Sequence, residues 1–304
     1  MIAKLYLIVS AVCIAAVACT KSASKPDIEA EKPAIVETEP QLHRISFNFS
    51  DFEISYQGGK AIAKEMAVKD FLKSLYYAVY DSTGEEIKRI DFGSNSYPNK
   101  LVPAQIQDSL KAGKYTIVFA GGKDTLCVNP GKTTLSDLSI MNWFNQDIFY
   151  KKFVLTVSDH DTSLTSIRLE RITGSLEVTL KDSVLPANVA SLVFLTRNRP
   201  GYFGVMQDVI VGLDSSYAGD FNPGFNSYPV NITSSYFGSN SNLQVVIRAY
   251  DKTRAIIKEK IVDGVHVYVN KKTVLSGKLF PTPSEVEIPI TVDPDFAETI
   301  NQTF

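Results

Sequence analysis

Cys19 closes the first apolar stretch of a 304-residue chain. Residues 1–4, MIAK, set a lysine near the start, and residues 5–18, LYLIVSAVCIAAVA, carry no charge. That run is too short for a comfortable membrane span, which needs about 20 residues. A charged start, an apolar middle and a small-residue end make a secretory signal. Ala16-Val17-Ala18-Cys19 then puts small residues where a signal peptidase has tight pockets, with a thiol directly after them. This is the pattern of a bacterial lipobox, although leucine is commoner than alanine at the first position. A thiol suits alkylation by a lipid donor because its thiolate is a strong nucleophile. The expected chemistry is loss of residues 1–18 as a signal peptide and attachment of diacylglycerol and palmitate to Cys19. Two or more acyl chains hold a protein stably, one only marginally. The alternative is an ordinary secretory signal with an incidental cysteine at its end.

The other reactive residues form no constellation. Cys13 leaves with the signal, so lipidated Cys19 would leave Cys127 alone and without a disulfide partner in the chain. The flanks of Cys127, DTLCVNP, fit a small hydrophobe in or beside a strand, and His43, His160 and His266 show no motif relation to it. Gly131-Lys132-Thr133 lacks the glycine five positions earlier that a phosphate loop needs, since position 126 is Leu. Asp159, His160 and Asp161 are adjacent on the chain and have no second ligand pair at metal spacing. Asp293, Asp295 and Glu298 lack the glycine of a calcium loop. No catalytic residue, cofactor or metal ligand is assigned, and a non-enzymatic protein is expected. A net charge of -2 gives no electrostatic footprint for nucleic acid. One stretch has the composition of a recognition surface. Residues 217–241 mix Tyr217, Phe221, Phe225, Tyr228, Tyr236 and Phe237 with Asn, Ser and Gly. Aromatics give rigid contact area and small polar residues give adaptable hydrogen bonds, which suits protein or carbohydrate. A plain surface loop fits the same composition.

These residues must be positioned by strands. Residues 19–42 are rich in Lys, Glu, Pro, Ala and Ser, contain no aromatics and cannot bury enough surface to offset their ordering entropy. They are expected to form a lipidated flexible tether. From residue 43 the sequence alternates, Ile45, Phe47 and Phe49 against Ser46, Asn48 and Ser50, the period of a half-buried strand. Residues 72–92 read as strand, turn and strand. Residues 110–122 and 147–157 read as further strands, with a short helix or long loop at 132–146. Residues 61–72 allow a turn or two of helix. A second series runs through 173–182, with Leu176, Val178 and Leu180 inward, then 189–198, 242–251, 255–267 and 286–293. Pro289 places the last of these on a sheet edge, if it pairs at all. The stretch 212–241 is expected as one long loop. Polar residues 159–172 separate the two series, giving an N-terminal β-sandwich at 43–158, a linker at 159–172 and a C-terminal β-sandwich at 173–304.

The stretches LYYAVYDSTGEEI (75–87), LKAGKYTIVFAGG (110–122), DIFYKKFVLTV (147–157) and IRLERITGSLEVTLKD (167–182) complete a pattern. Together with the lipobox and tether, this sequence resembles the FimB/Mfa2 family of Bacteroidetes fimbrial anchor proteins and the wider fimbrillin group. The resemblance spans nearly the whole mature chain and rests on patterns rather than on an invariant site. It implies an all-β fold of two tandem transthyretin-like Greek-key sandwiches, lipid attachment to the outer membrane with exposure at the cell surface, and fimbrial subunits as partners. It also implies anchoring or assembly of fimbriae by β-strand addition, where backbone hydrogen bonds give affinity and side-chain pockets give specificity. A carbohydrate-binding surface lipoprotein of a glycan-uptake system is the competing expectation, and exposed aromatics in 202–237 are its signature.

Overall fold

A computed structural model describes residues 41–49, 71–93, 101–129, 134–143, 146–159, 163–214, 230–281 and 299–303. Most of them lie in strands. The first half begins with β1 (Leu42–Phe49), β2 (Ser74–Tyr80), β3 (Glu86–Phe92), β4 (Gln105–Lys111) and β5 (Gly113–Gly122). It continues with β6 (Cys127–Val128), β7 (Ser139–Met141), β8 (Ile148–Val157), β9 (Ser163–Ile167) and β10 (Glu170–Arg171). The second half holds β11 (Thr173–Leu180), β12 (Ser191–Arg197), β13 (Arg199–Gly204), β14 (Val209–Asp214) and β15 (Val230–Phe237). It ends with β16 (Ser239–Tyr250), β17 (Ile256–Val267), β18 (Lys272–Gly277) and β19 (Thr299–Thr303). Leu135–Asp137 forms one 3-10 turn, which settles part of 132–146. The expected helix at 61–72 and strand at 286–293 fall almost wholly outside the described residues.

Sheet A, in the order β4-β1-β9, faces sheet B, in the order β10-β8-β5-β2-β3. Alternation makes the core between them. Ile45 and Phe47 of β1, and Ile106 and Leu110 of β4, point inward with Leu75, Tyr77 and Val79 of β2 and Ile117 and Phe119 of β5. Sheet C, β15-β11-β18-β19, faces sheet D, β12-β16-β17, in the second half. Leu176, Val178 and Leu180 are buried there, as their period requires, against Leu192, Val245 and Ile247. The halves share a pairing plan. β1 is antiparallel to β4 and parallel to β9, and β11 is antiparallel to β15 and parallel to β18.

Two turns use one chemistry. Asp81 Oδ1 accepts from the Thr83 N–H at 2.8 Å, the Thr83 hydroxyl at 2.6 Å and the Glu85 N–H at 3.0 Å. Asp251 Oδ1 accepts from the Thr253 N–H at 2.8 Å, the Thr253 hydroxyl at 2.7 Å and the Ala255 N–H at 2.9 Å. Such Asx-type bonding is what short polar side chains do best in turns. Each turn needs a left-handed residue, filled by Gly84 at φ +87° in one and Arg254 at φ +66° in the other.

Two sequence expectations change. Residues 159–172, expected as a linker, carry β9 and β10, because Ile167 and Leu169 alternate into the first core despite their polar neighbours. The long loop expected at 212–241 is interrupted by β15 and the start of β16. Thr233 and Ser235 supply the polar positions of a strand that composition alone reads as loop.

Candidate functional site

Every residue of β2 is buried, which a strand with one solvent face would not allow. Leu75, Tyr77 and Val79 serve the first core. Tyr76, Ala78 and Tyr80 point the other way and meet a third cluster with Val118, Ile148 and Tyr150. A small seam sheet, in the order β14-β13-β7-β6, covers that face. Its register is Tyr202↔Met141, Phe203↔Ile140 and Gly204↔Ser139, so a hairpin from the second half pairs directly with a strand from the first. Phe203 packs edge-on to Tyr150 at 4.9 Å between centroids and lies 6.4 Å from Phe237.

Polar groups at the junction are bonded to one another. Burial pushes the Asp147 carboxyl up, but Arg171 and Lys123 outweigh it and hold the group below its ordinary value. Lys123 lies 2.7 Å from Asp147, and the Ser235 hydroxyl donates to it at 2.9 Å. Asn142 donates to the Ser235 carbonyl at 2.8 Å, and the buried Arg199 reaches the Asn142 carbonyl at 3.3 Å. Arg171 stacks over Phe149 at 5.4 Å and Arg199 over Tyr236 at 5.3 Å.

Beside the seam lies a cavity of about 410 Å³, lined by Tyr150, Lys151, Lys152, Glu170, Ile172, Phe203, Asp208, Ile210, Gly238 and Val269. Its size is within the range of small-ligand sites. Its charges are already matched: Lys151 pairs with Glu170 at 2.6 Å and Lys152 with Asp208 at 2.9 Å. The Tyr150 hydroxyl donates to Asp208 at 2.7 Å, and burial keeps it protonated far above the usual phenol range. Gly238 permits the close approach of the chain here, since a Cβ on it would sit 2.1 Å from the Val269 nitrogen. Among the described residues no group of His, Cys, Asp and Glu is arranged to hold a metal ion. Burial raises the Cys127 thiol, which lies in β6, so it stays protonated as a half-buried small side chain.

The residues picked from sequence do not converge. Cys19, Tyr217, Phe221, Phe225 and Tyr228 lie outside the described residues. Tyr236 and Phe237 are corrections. They are 5% and 1% exposed and belong to core clusters, so neither can present a ring to a ligand. Tyr236 fills the second core with its hydroxyl 3.2 Å from Thr196, and Phe237 reaches the seam. β15 turns them inward. Sequence reading missed the seam itself, whose β6 and β7 are too short to show a period.

What the described site offers is backbone. β10 covers β8 only at Tyr150 and Phe149, so among the described strands the rest of that β8 edge has no strand partner. β3, β4, β12 and β17 are sheet edges in the same sense. Such edges are templates for an added strand.

A family model described as fimbrillin-A associated anchor proteins Mfa1 and Mfa2 matches residues 48–294. Comparison with curated protein sequences returns no match. Among solved structures, a candidate adhesin from Bacteroides ovatus ATCC 8483 is 12% identical over 87% of this chain and 93% of its own, with a TM-score of 0.51. The fimbrial anchor protein Mfa2 from Porphyromonas gingivalis is 17% identical over 72% of this chain and 82% of its own, with a TM-score of 0.45. The tip fimbrial protein Mfa3 from Porphyromonas gingivalis, with a C-terminal truncation, is 11% identical over 79% and 96%, with a TM-score of 0.43. At 12% identity the first likeness speaks to the fold.

Proposed function

This chain belongs to the family of fimbrillin-A associated anchor proteins, and on that premise we propose that it is a non-enzymatic lipoprotein that holds fimbriae to the outer membrane through Cys19. Fimbrial anchoring and cell adhesion are the function of the family, and the match over residues 48–294 is the observation that carries the reading. The lipid half rests on sequence: the apolar run ends at Ala16-Val17-Ala18-Cys19 and a polar tether follows. In this reading 19–42 is the tether and the body comprises two sandwiches, the first running from residue 43 through β9 and β10 and the second from Thr173 onward. Fimbrial subunits dock by adding a strand to an open edge, where main-chain bonds need no special side chain.

Membrane fractionation tests the anchor. Cys19→Ala is expected to move the protein out of the membrane fraction with its fold unchanged by circular dichroism. Retention of the variant after a carbonate wash would overturn lipid anchoring. In-cell crosslinking of a tagged copy, read by mass spectrometry, tests the partner, with fimbrillin-like subunits as the expected capture.

A further inference from the structure

We infer that this fold has a mechanical function: β1 and β9 form a shear clamp that holds the tethered end of the chain against pull applied through the second half. The inference rests on the anchoring role proposed above, which puts one attachment at Cys19 and the other on the folded body. The tether enters β1 at Leu42. β1 lies in the middle of sheet A, antiparallel to β4 from Leu42↔Lys111 to Asn48↔Gln105 and parallel to β9 from Ile45↔Ser163 to Phe49↔Ile167. The chain therefore enters β1 at one end of the sandwich and leaves β9 at the other. Directly beyond Ile167, Leu169 is buried in the first core and Glu170 and Arg171 pair with β8. The Ile172 N–H then bonds the Ile148 carbonyl at 3.0 Å, and β11 starts at Thr173.

Tension between tether and second half thus runs along β1. Neighbouring parallel strands pulled from opposite ends slide past each other. Sliding breaks the ladder bonds together and drags Ile45 and Phe47 out of the core in the same step. Peeling would break those bonds one at a time. Forced unfolding is governed by the unfolding barrier, so the sliding route resists far more. The seam cannot bypass this path, because none of its strands is β1 or pairs with it. The second half repeats the arrangement. Its entry strand β11 is parallel to β18, and β18 is parallel to β19, so pull applied beyond β18 crosses a second parallel ladder in series.

Single-molecule pulling on the purified, unlipidated chain from Cys19 onward tests the clamp. In a Cys127→Ser background, Cys19 and one introduced cysteine are the attachment points. Arg168→Cys, just past the end of β9, loads β1 in shear. Lys111→Cys, paired opposite Leu42, loads it in peel. Both positions are exposed. Gln105→Cys, opposite Asn48, repeats the shear geometry on the other neighbour. Rupture force is expected to be several-fold higher for the pairs 19–168 and 19–105 than for 19–111. Equal forces, or a higher force in peel, would overturn the clamp. The measurement needs neither membrane nor fimbriae, so it fails or succeeds separately from the Cys19→Ala test.

Discussion

Tyr77 stacks on Phe119 at 5.1 Å, and Phe119 on Phe153 at 6.4 Å, between the sheets of the first sandwich. In the equivalent space of the second, Leu176, Val178, Leu192, Val245 and Leu275 pack with Phe194 and Tyr236. The pairing plans match, yet the fillers differ, and the difference has an electrostatic consequence. A tyrosine ring deep in a core brings a hydroxyl that needs a partner. β4 supplies one by placing Asp108 at an inward position of its alternation, where it accepts from Tyr77 at 2.6 Å and pairs with Lys88. Burial and the Asp108 bond keep the Tyr77 hydroxyl protonated far above the usual range. The first sandwich therefore sets a buried Tyr77–Asp108 pair, joined by the part-exposed Lys88, between its sheets, whereas in the second the Tyr236 hydroxyl meets the neutral Thr196 hydroxyl.

Truncating each core should give the largest effects. Phe119→Ala and Leu275→Ala are expected to cost about 3–5 and 2–5 kcal/mol respectively, measured by urea denaturation. If the seam couples the halves, each variant lowers the stability of both in one transition. Two separate transitions in the native chain would break that part of the comparison. Phe203→Ala attacks the coupling itself. A loss of about 3 kcal/mol or more is expected, with the single transition splitting into two when followed by probes in each half.

Tyr77→Phe keeps the ring and removes the donor, leaving Asp108 with Lys88. A cost of about 1–3 kcal/mol is expected, and no change in the second half should appear by hydrogen exchange. The smallest effects lie in the twin aspartate turns. Thr83 bonding holds the Asp81 carboxyl below its ordinary value, and Thr253 bonding does the same for Asp251. A lowered folded value stabilises above the unfolded carboxylate pKa, about 3.9, and the gain disappears as pH falls through the folded value. Asp81→Asn and Asp251→Asn should therefore each flatten acid unfolding slightly and equally. Arg254→Gly, at φ +66°, should stabilise the second turn by about 0.5–1 kcal/mol, whereas Gly84→Arg should weaken the first.

The strands of the two cores were legible in the sequence because their alternation is local. Ile45, Phe47, Leu176, Val178 and Leu180 all point where their spacing sends them. The seam was not legible. β6 spans two residues and β7 three, and β13 reads RPGYFG, whose Pro200-Gly201 signals a turn. Its pairing with β7 is a long-range event that no local period announces. β9 hid for a related reason: Ser163, Thr165 and Ser166 look like linker until parallel pairing with β1 is known. The aromatic stretch misled most. Tyr236 and Phe237 share the composition of an exposed recognition loop, but composition is blind to which face a strand turns inward.

The mixed parentage of the seam sheet also bears on how the protein comes into being. A chain emerges from its amino end, and domains generally fold as they appear. Here β2, β5 and β8 are complete once residue 157 is out, yet the outer face carrying Tyr76, Val118 and Tyr150 has only Leu138 and Ile140 from the first half against it until Phe203 and Val205 arrive. The first sandwich must wait, half clothed, for a hairpin made some fifty residues later.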